Sequence, residues 1–117
     1  MEKKDLGKTS IGLEPNVAAL LSYLAGFITG IIFYVTEKEN RFVRFHAMQS
    51  TLVFGAIFAL NLVNSFLLFF LPFGFRHFVS GCLGIASLIL WVVLMVKAYQ
   101  GEMFKLPVAG DIAENFS

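Results

Sequence analysis

The sequence predicts an all-α fold: an integral membrane three-helix bundle with an interfacial C-terminal tail. Three observations predict it. Of 117 residues, 57% are apolar and only 15% charged, a balance far from that of soluble domains. The apolar residues gather in three blocks, 17–35, 47–70 and 78–96, and none of these holds Asp, Glu, Lys or Arg. Each block is at least 19 residues long, and a hydrocarbon core about 30 Å thick takes roughly 20 residues of helix at ~1.5 Å per residue.

An insertion estimate separates such blocks from buried helices of a soluble domain. The first block holds ten Val, Leu, Ile or Phe residues, which together favour insertion by about 3 to 6 kcal/mol, whereas each central charge would cost roughly 2.5 to 3.5 kcal/mol. The second block holds thirteen such residues and the third eleven. Lipid offers no hydrogen-bond partner to the backbone, and three segments do not close a barrel, so the blocks are expected to be helices.

Residues 1–16 form a polar leader ending in Pro15 and Asn16, with Asn16 the expected N-cap of helix one. Block 17–35 is too long for the apolar core of a signal peptide and no small-x-small site follows it, so it is expected to be a retained anchor. Residues 36–46 are a charged connection and the start of helix two, which is expected to begin near Asn40 or Arg41. Residues 71–77 are expected to form a short hairpin loop, because Pro72 and Gly74 favour a turn. Residues 97–117 make a tail with scattered apolar positions, expected at the membrane surface or against the bundle. Pro107 and Gly110 oppose one continuous amphipathic helix there. Three spans put the leader and loop 71–77 on one side, and the first connection and tail on the other. Arg41, Arg44 and Lys97 lie close to helix ends on the second side, which places the C-terminus in the cytoplasm of a multi-pass cell-membrane protein.

Polar residues inside the blocks are the candidate site. At 100° per residue His46, Gln49, Ser50, Asn61 and Asn64 fall on one face of helix two. That face either hydrogen-bonds to neighbouring helices or lines a polar pathway. Ser22, Gly26 and Gly30 follow at four-residue steps in helix one, and Ser80, Gly84 and Ser87 repeat the idea in helix three. Small side chains let backbones approach closely, within one chain or between copies. Arg41, Arg44 and Lys97 are expected to snorkel as interface anchors, with Trp91 and Tyr99 in aromatic belts. Lys38, Arg41 and Arg44 would attract anionic headgroups, but Glu37 and Glu39 dilute that charge.

Nine Lys and Arg are scattered among eight acids, for a net charge of +1, so nucleic acid is not an expected partner. Cys82 is the single cysteine, which excludes an internal disulfide and a cysteine metal cluster. His46 and His77 lack ligands at zinc spacing, and no nucleophile elbow or phosphate loop occurs. No enzyme, metal or cofactor is expected. The partners expected are the lipid bilayer and either further copies or other membrane proteins. The function expected is helix association or service as a small subunit of a membrane complex. The alternative is a component of a protein or solute translocation path.

Two stretches carry a family pattern: Phe42-Val43-Arg44-Phe45-His46-Ala47-Met48-Gln49-Ser50, and Ala98-Tyr99-Gln100-Gly101-Glu102 with Lys105-Leu106-Pro107-Val108-Ala109-Gly110-Asp111-Ile112-Ala113-Glu114. With Asn16-Val17 and Leu21-Ser22-Tyr23-Leu24, they make the chain resemble small three-span membrane proteins of archaea and bacteria. That grouping is similar to the MamF and MmsF magnetosome membrane proteins and, more remotely, to the Tic-Twenty type of chloroplast import component. The magnetosome likeness implies a role in organising a membrane surface or partner assembly. The import likeness implies translocation, although those proteins are described with four spans. Arg44, His46, Gln49, Ser50, Tyr99 and Pro107 are the shared positions, and no catalytic or binding role comes with them.

Overall fold

The computed structural model describes residues 7–67, 69 and 73–117. Among them lie five α-helices and no strand: α1 (Pro15–Leu24), α2 (Phe27–Thr36), α3 (Arg41–Leu67), α4 (Phe73–Tyr99) and α5 (Ala109–Phe116). Helices α3 and α4 have 27 residues each, and both are long and apolar enough to cross a membrane. At ~1.5 Å per residue each measures about 40 Å.

The first apolar block departs from its expected form. In place of one helix over 17–35 there are two ten-residue helices, α1 and α2. The break is at Gly26, whose φ of 63° and ψ of −133° are open to glycine and strained for other residues. The chain reverses there. Helix α1 runs antiparallel to α4, with Asn16 beside Tyr99 at one end and Tyr23 beside Trp91 further in. Helix α2 then returns along α3, with Phe27 against Phe58 and Arg44 against Tyr34.

Other boundaries move for local reasons. Helix α1 starts with Pro15, whose fixed φ suits a first helical position, and Glu14 is its N-cap residue. Asn16, expected as the cap, lies inside the helix and donates its Nδ2 to the Tyr99 carbonyl at 3.2 Å. Helix α3 begins at Arg41 as expected, capped by Asn40, whose Oδ1 accepts from the Val43 N–H at 3.0 Å. The turn expected over 71–77 is shorter, since Phe73 to His77 are helical, and Leu71 and Pro72 lie outside the described residues. An interior glycine such as Gly74 costs a helix only about 1 kcal/mol, which a long apolar helix absorbs. Helix α4 continues past Val96 to Tyr99 and ends at Gly101, φ 80°. There Glu102 N–H donates to the Lys97 carbonyl and Gly101 N–H to that of Ala98, both at 3.0 Å, a glycine-terminated C-cap.

The tail folds back on α3 and finishes in α5. Leader, first connection and tail therefore gather at one end of the molecule, here called proximal. The three crossings expected would separate the leader from the first connection and tail, whereas in the structure these segments pack against one another. The buried core, including Tyr23, Phe42, Phe45 and Leu94, lies in the proximal half. The distal halves of α3 and α4 expose apolar side chains such as Phe58, Leu62, Phe66, Phe78 and Ile85. The molecule is elongated, 52 × 28 × 22 Å.

Candidate functional site

A helix pair that reverses among apolar side chains leaves backbone groups that only side chains can satisfy. Gly26 carbonyl accepts from Ser50 Oγ at 2.9 Å and from Gly30 N–H at 3.2 Å. Tyr23 carbonyl accepts from the Trp91 indole at 2.7 Å and from Gly26 N–H at 3.1 Å. Thr29 adds two more bonds: its Oγ1 accepts from Ala25 N–H at 3.0 Å and donates to the Ser22 carbonyl at 2.9 Å. The turn thus draws side-chain hydrogen bonds from three elements at once, α2, α3 and α4.

Below the turn lies a buried polar core. Glu102 carbonyl only accepts, so His46 Nε2, 2.8 Å away, carries the ring proton. Nδ1 is then the acceptor for the Tyr23 hydroxyl at 2.6 Å. That hydroxyl accepts in turn from Gln49 Nε2 at 2.9 Å. Gln49 also donates to the Phe104 carbonyl at 2.9 Å and accepts from Leu106 N–H at 2.9 Å. Tyr23, His46 and Gln49 are each fully buried, and rings of Phe42 and Phe45 stand edge-on to His46 at 4.7 and 5.0 Å. The chemistry is mutual satisfaction of donors and acceptors, with the neutral imidazole locked in one tautomer.

At the proximal rim Glu37 joins leader to connection. Its buried carboxylate accepts from Ser10 N–H through both oxygens (2.9 and 3.0 Å), and from Glu39 and Asn40 N–H groups at 3.0 and 2.9 Å. Asn40 Nδ2 adds a bond to the Lys8 carbonyl at 3.2 Å. Burial alone would raise the Glu37 pKa, but the N–H groups of Ser10, Asn40 and Glu39 outweigh it and hold the carboxyl below the usual range. A depressed folded pKa stabilises the protein above the carboxylate's ordinary pKa of about 4.3, and that contribution is lost as pH falls through the folded value. Acid titration of the full chain in detergent should therefore free the leader to protease first. Glu37→Gln should abolish that acid step, and leader release at unchanged pH in this variant would assign it to another group.

The chain matches the MamF and MmsF model, described as a magnetosome magnetite crystal formation protein family, over residues 10–113. It belongs to that family. A UPF0132 membrane protein of Methanocaldococcus jannaschii is 52% identical across 96% of each chain. One from Archaeoglobus fulgidus is 47% identical over 87% of this chain and 94% of its own. A second from Methanocaldococcus jannaschii is 43% identical over 92% of this chain and 73% of its own. No solved structure matches. This member of the family is accordingly a membrane protein, with two candidate spans, α3 and α4, and the lipid bilayer as its solvent.

The sequence-selected residues divide into groups. His46, Gln49 and Ser50 converge on the reversed pair and the tail. Asn61 lies further along α3 and donates to the Ile57 carbonyl of its own helix at 3.1 Å. Asn64 Nδ2 donates to Ser80 Oγ on α4 at 2.9 Å, while its buried Oδ1 has no partner among the described residues. Ser22 and Gly26 belong to the turn. Gly30 seats α2 on α3, where a Cβ would stand 2.8 Å from the Ala47 carbonyl oxygen. A Cβ on Gly84 would meet nothing within 4 Å, and Ser87 donates to the Leu83 carbonyl of its own helix at 2.6 Å.

The expected anchors have partners of their own. Arg44 caps the end of α2, donating to the carbonyls of Tyr34 and Glu37 at 3.0 and 2.8 Å with its guanidinium 4.1 Å from the Tyr34 ring centre. Arg41 donates to Ser117 Oγ at 3.0 Å, and Lys97 pairs with Glu102 at 3.2 Å. Trp91, expected in an aromatic belt, pins the turn from mid-helix. The Tyr99 side chain is half exposed. Sequence reasoning missed Glu37, Thr29 and the partnership of Tyr23 with His46. The signal available was Ser22, Gly26 and Thr29 clustered at the centre of an otherwise apolar block.

Proposed function

We propose that this chain is a non-enzymatic membrane protein that works by lateral association, with α3 and α4 crossing the bilayer and α1–α2 entering and leaving on one face. The observation that carries association is the distal half of α4. Gly81 and Gly84 offer open backbone there, with nothing within 4 Å of either Cβ position, beside exposed Phe78, Ile85 and Leu88. Helices in lipid associate through such close approaches, because apolar area alone gives no drive there.

The seating rests on length and charge. Ten residues at ~1.5 Å each reach about half of a 30 Å hydrocarbon core. Non-helical backbone is tolerated at that depth only when protein groups satisfy it, the service that Ser50, Thr29 and Trp91 perform. Among described basic residues, Lys8, Lys38, Arg41, Arg44, Lys97 and Lys105 belong to the proximal end and Arg76 to the distal one. The excess of positive charge assigns the proximal end, with the C-terminus, to the cytoplasm. A translocation path along α3 is the weaker reading, since His46, Gln49 and Ser50 already spend their hydrogen bonds on the fold.

Two measurements on the full chain test the proposal. In a Cys82→Ala background, cysteines placed at Thr9, Lys38 and Lys105 should react with an impermeant thiol reagent from one and the same side. Labelling of Thr9 and Lys38 from opposite sides would sink the seating. Mass determination in mild detergent should give oligomers that Gly84→Leu dissociates, and monomers at every concentration would sink association.

A further inference from the structure

The two halves of this molecule differ in cross-section. In the proximal half α1, α2 and the first or last halves of α3 and α4 lie side by side, whereas the distal half holds only α3 and α4. The difference is two helices, each about 10 Å across, and it falls at Gly26. That turn, given the seating proposed above, lies near the middle of the bilayer.

We propose that the chain is a membrane wedge that favours and imposes curvature, with the convex face on the side of its termini. The inference rests on the seating of α1–α2 within one leaflet and goes beyond it. A body that takes up more area in one leaflet than in the other relieves packing mismatch when the crowded leaflet is expanded, and bending expands it.

What fills the space beyond the turn follows from its lining. Phe27 and Phe58 meet there with ring centres 5.3 Å apart, Phe58 is exposed, and the carbonyls of Ser22, Tyr23 and Gly26 are bonded inward. The exposed side chains around the turn, Leu24, Ile28 and Phe58, are apolar, and the occupant they fit is lipid acyl chain. The charged groups named above hold the wide half at its own surface. Narrow distal halves that touch through Gly84 would splay the wide halves apart, so association and bending reinforce each other.

The test uses the full chain, reconstituted by detergent removal into vesicles of phosphatidylcholine with phosphatidylglycerol. Vesicle diameter is measured by cryo-electron microscopy at rising protein-to-lipid ratio, and protease reports which side carries the C-terminus. The wedge predicts diameters that shrink several-fold as the ratio rises, with termini outward in the smallest vesicles. Diameters independent of the ratio, or termini facing at random in the smallest vesicles, would overturn it. Thiol labelling at positions 9 and 38 on the same vesicles separates the two claims. Opposite sides for these positions defeat the seating and the wedge together, while one shared side with unchanged diameters defeats the wedge alone.

Discussion

Gln49→Leu is expected to lower the stability of the purified chain by about 2 to 5 kcal/mol, because buried groups stranded without a partner cost roughly 1 to 3 kcal/mol each. Leucine matches the bulk of glutamine but removes every bond of the amide. The Phe104 carbonyl loses a donor, the Leu106 N–H loses an acceptor, and the Tyr23 hydroxyl keeps only His46. Two of the three losses fall on the tail, so limited proteolysis should release residues 103–117 before the helices. Asn61→Leu is the control. Its side chain bonds only within its own helix, and the same assay should return a midpoint close to that of the parent. A Gln49→Leu chain that melts with the parent and keeps its tail protected would mean that other contacts hold the tail.

The second large effect is expected at Gly30. An added Cβ would lie 2.8 Å from both the Ala47 carbonyl oxygen and Thr51 Oγ1, and 3.0 Å from Thr51 nitrogen. Two of these are backbone atoms of α3, which yield only if the whole of α2 moves outward. Overpacking of this kind costs about 1 to 3 kcal/mol, and Gly30→Ala should reach that range while Gly30→Leu exceeds it. Displacing α2 also stretches the bond from Ser50 to the Gly26 carbonyl, so loss of stability should come with a turn open to hydrogen exchange. Gly84→Ala has open space around it and gains helix propensity worth up to about 1 kcal/mol. Equal melting points for Gly30→Ala and the parent would show that α2 does not sit on α3 at this distance.

Much of the scaffold is legible in the sequence. Helices α3 and α4 each contain a long block without Asp, Glu, Lys or Arg, and a block of that kind has one good solution in lipid. The start of α3 at Arg41 is legible too, because Asn40 is a strong cap. The first block is where counting fails. Its length and insertion energy are those of a span, yet neither quantity knows which way the chain is heading. Direction is decided by Gly26, and Ser22 and Thr29 nearby are the polar groups that a turn in lipid requires. Read as packing residues at four-residue steps, Ser22, Gly26 and Gly30 suggest one continuous face. Read as a break with its own hydrogen-bond partners, they give the reversal.

The polar face of α3 was half legible. Helical phase puts five residues on one face, and three of them, His46, Gln49 and Ser50, meet the reversed pair and the tail, through partners that come from elsewhere in the chain and carry no motif. His46 meets a tyrosine from α1 and a carbonyl from the tail, and Gln49 meets two backbone groups from the tail. Backbone partners leave no trace in a residue string. The same blindness hides Glu37, whose partners are N–H groups of the leader and of its own connection. Beside Lys38, Arg41 and Arg44 it reads as a diluting charge, whereas in the fold it is the clasp of the proximal rim.

The tail's carbonyls and N–H reach His46 and Gln49 from 55 to 57 positions further along the chain. During synthesis, α3 therefore enters the membrane with only Tyr23 at hand for these two side chains, and their remaining bonds wait until the tail has left the ribosome. Insertion and completion are separate events in the life of this polypeptide. A chain stalled or cut before Phe104 would be threaded through lipid and still unfinished, a natural substrate for membrane quality control.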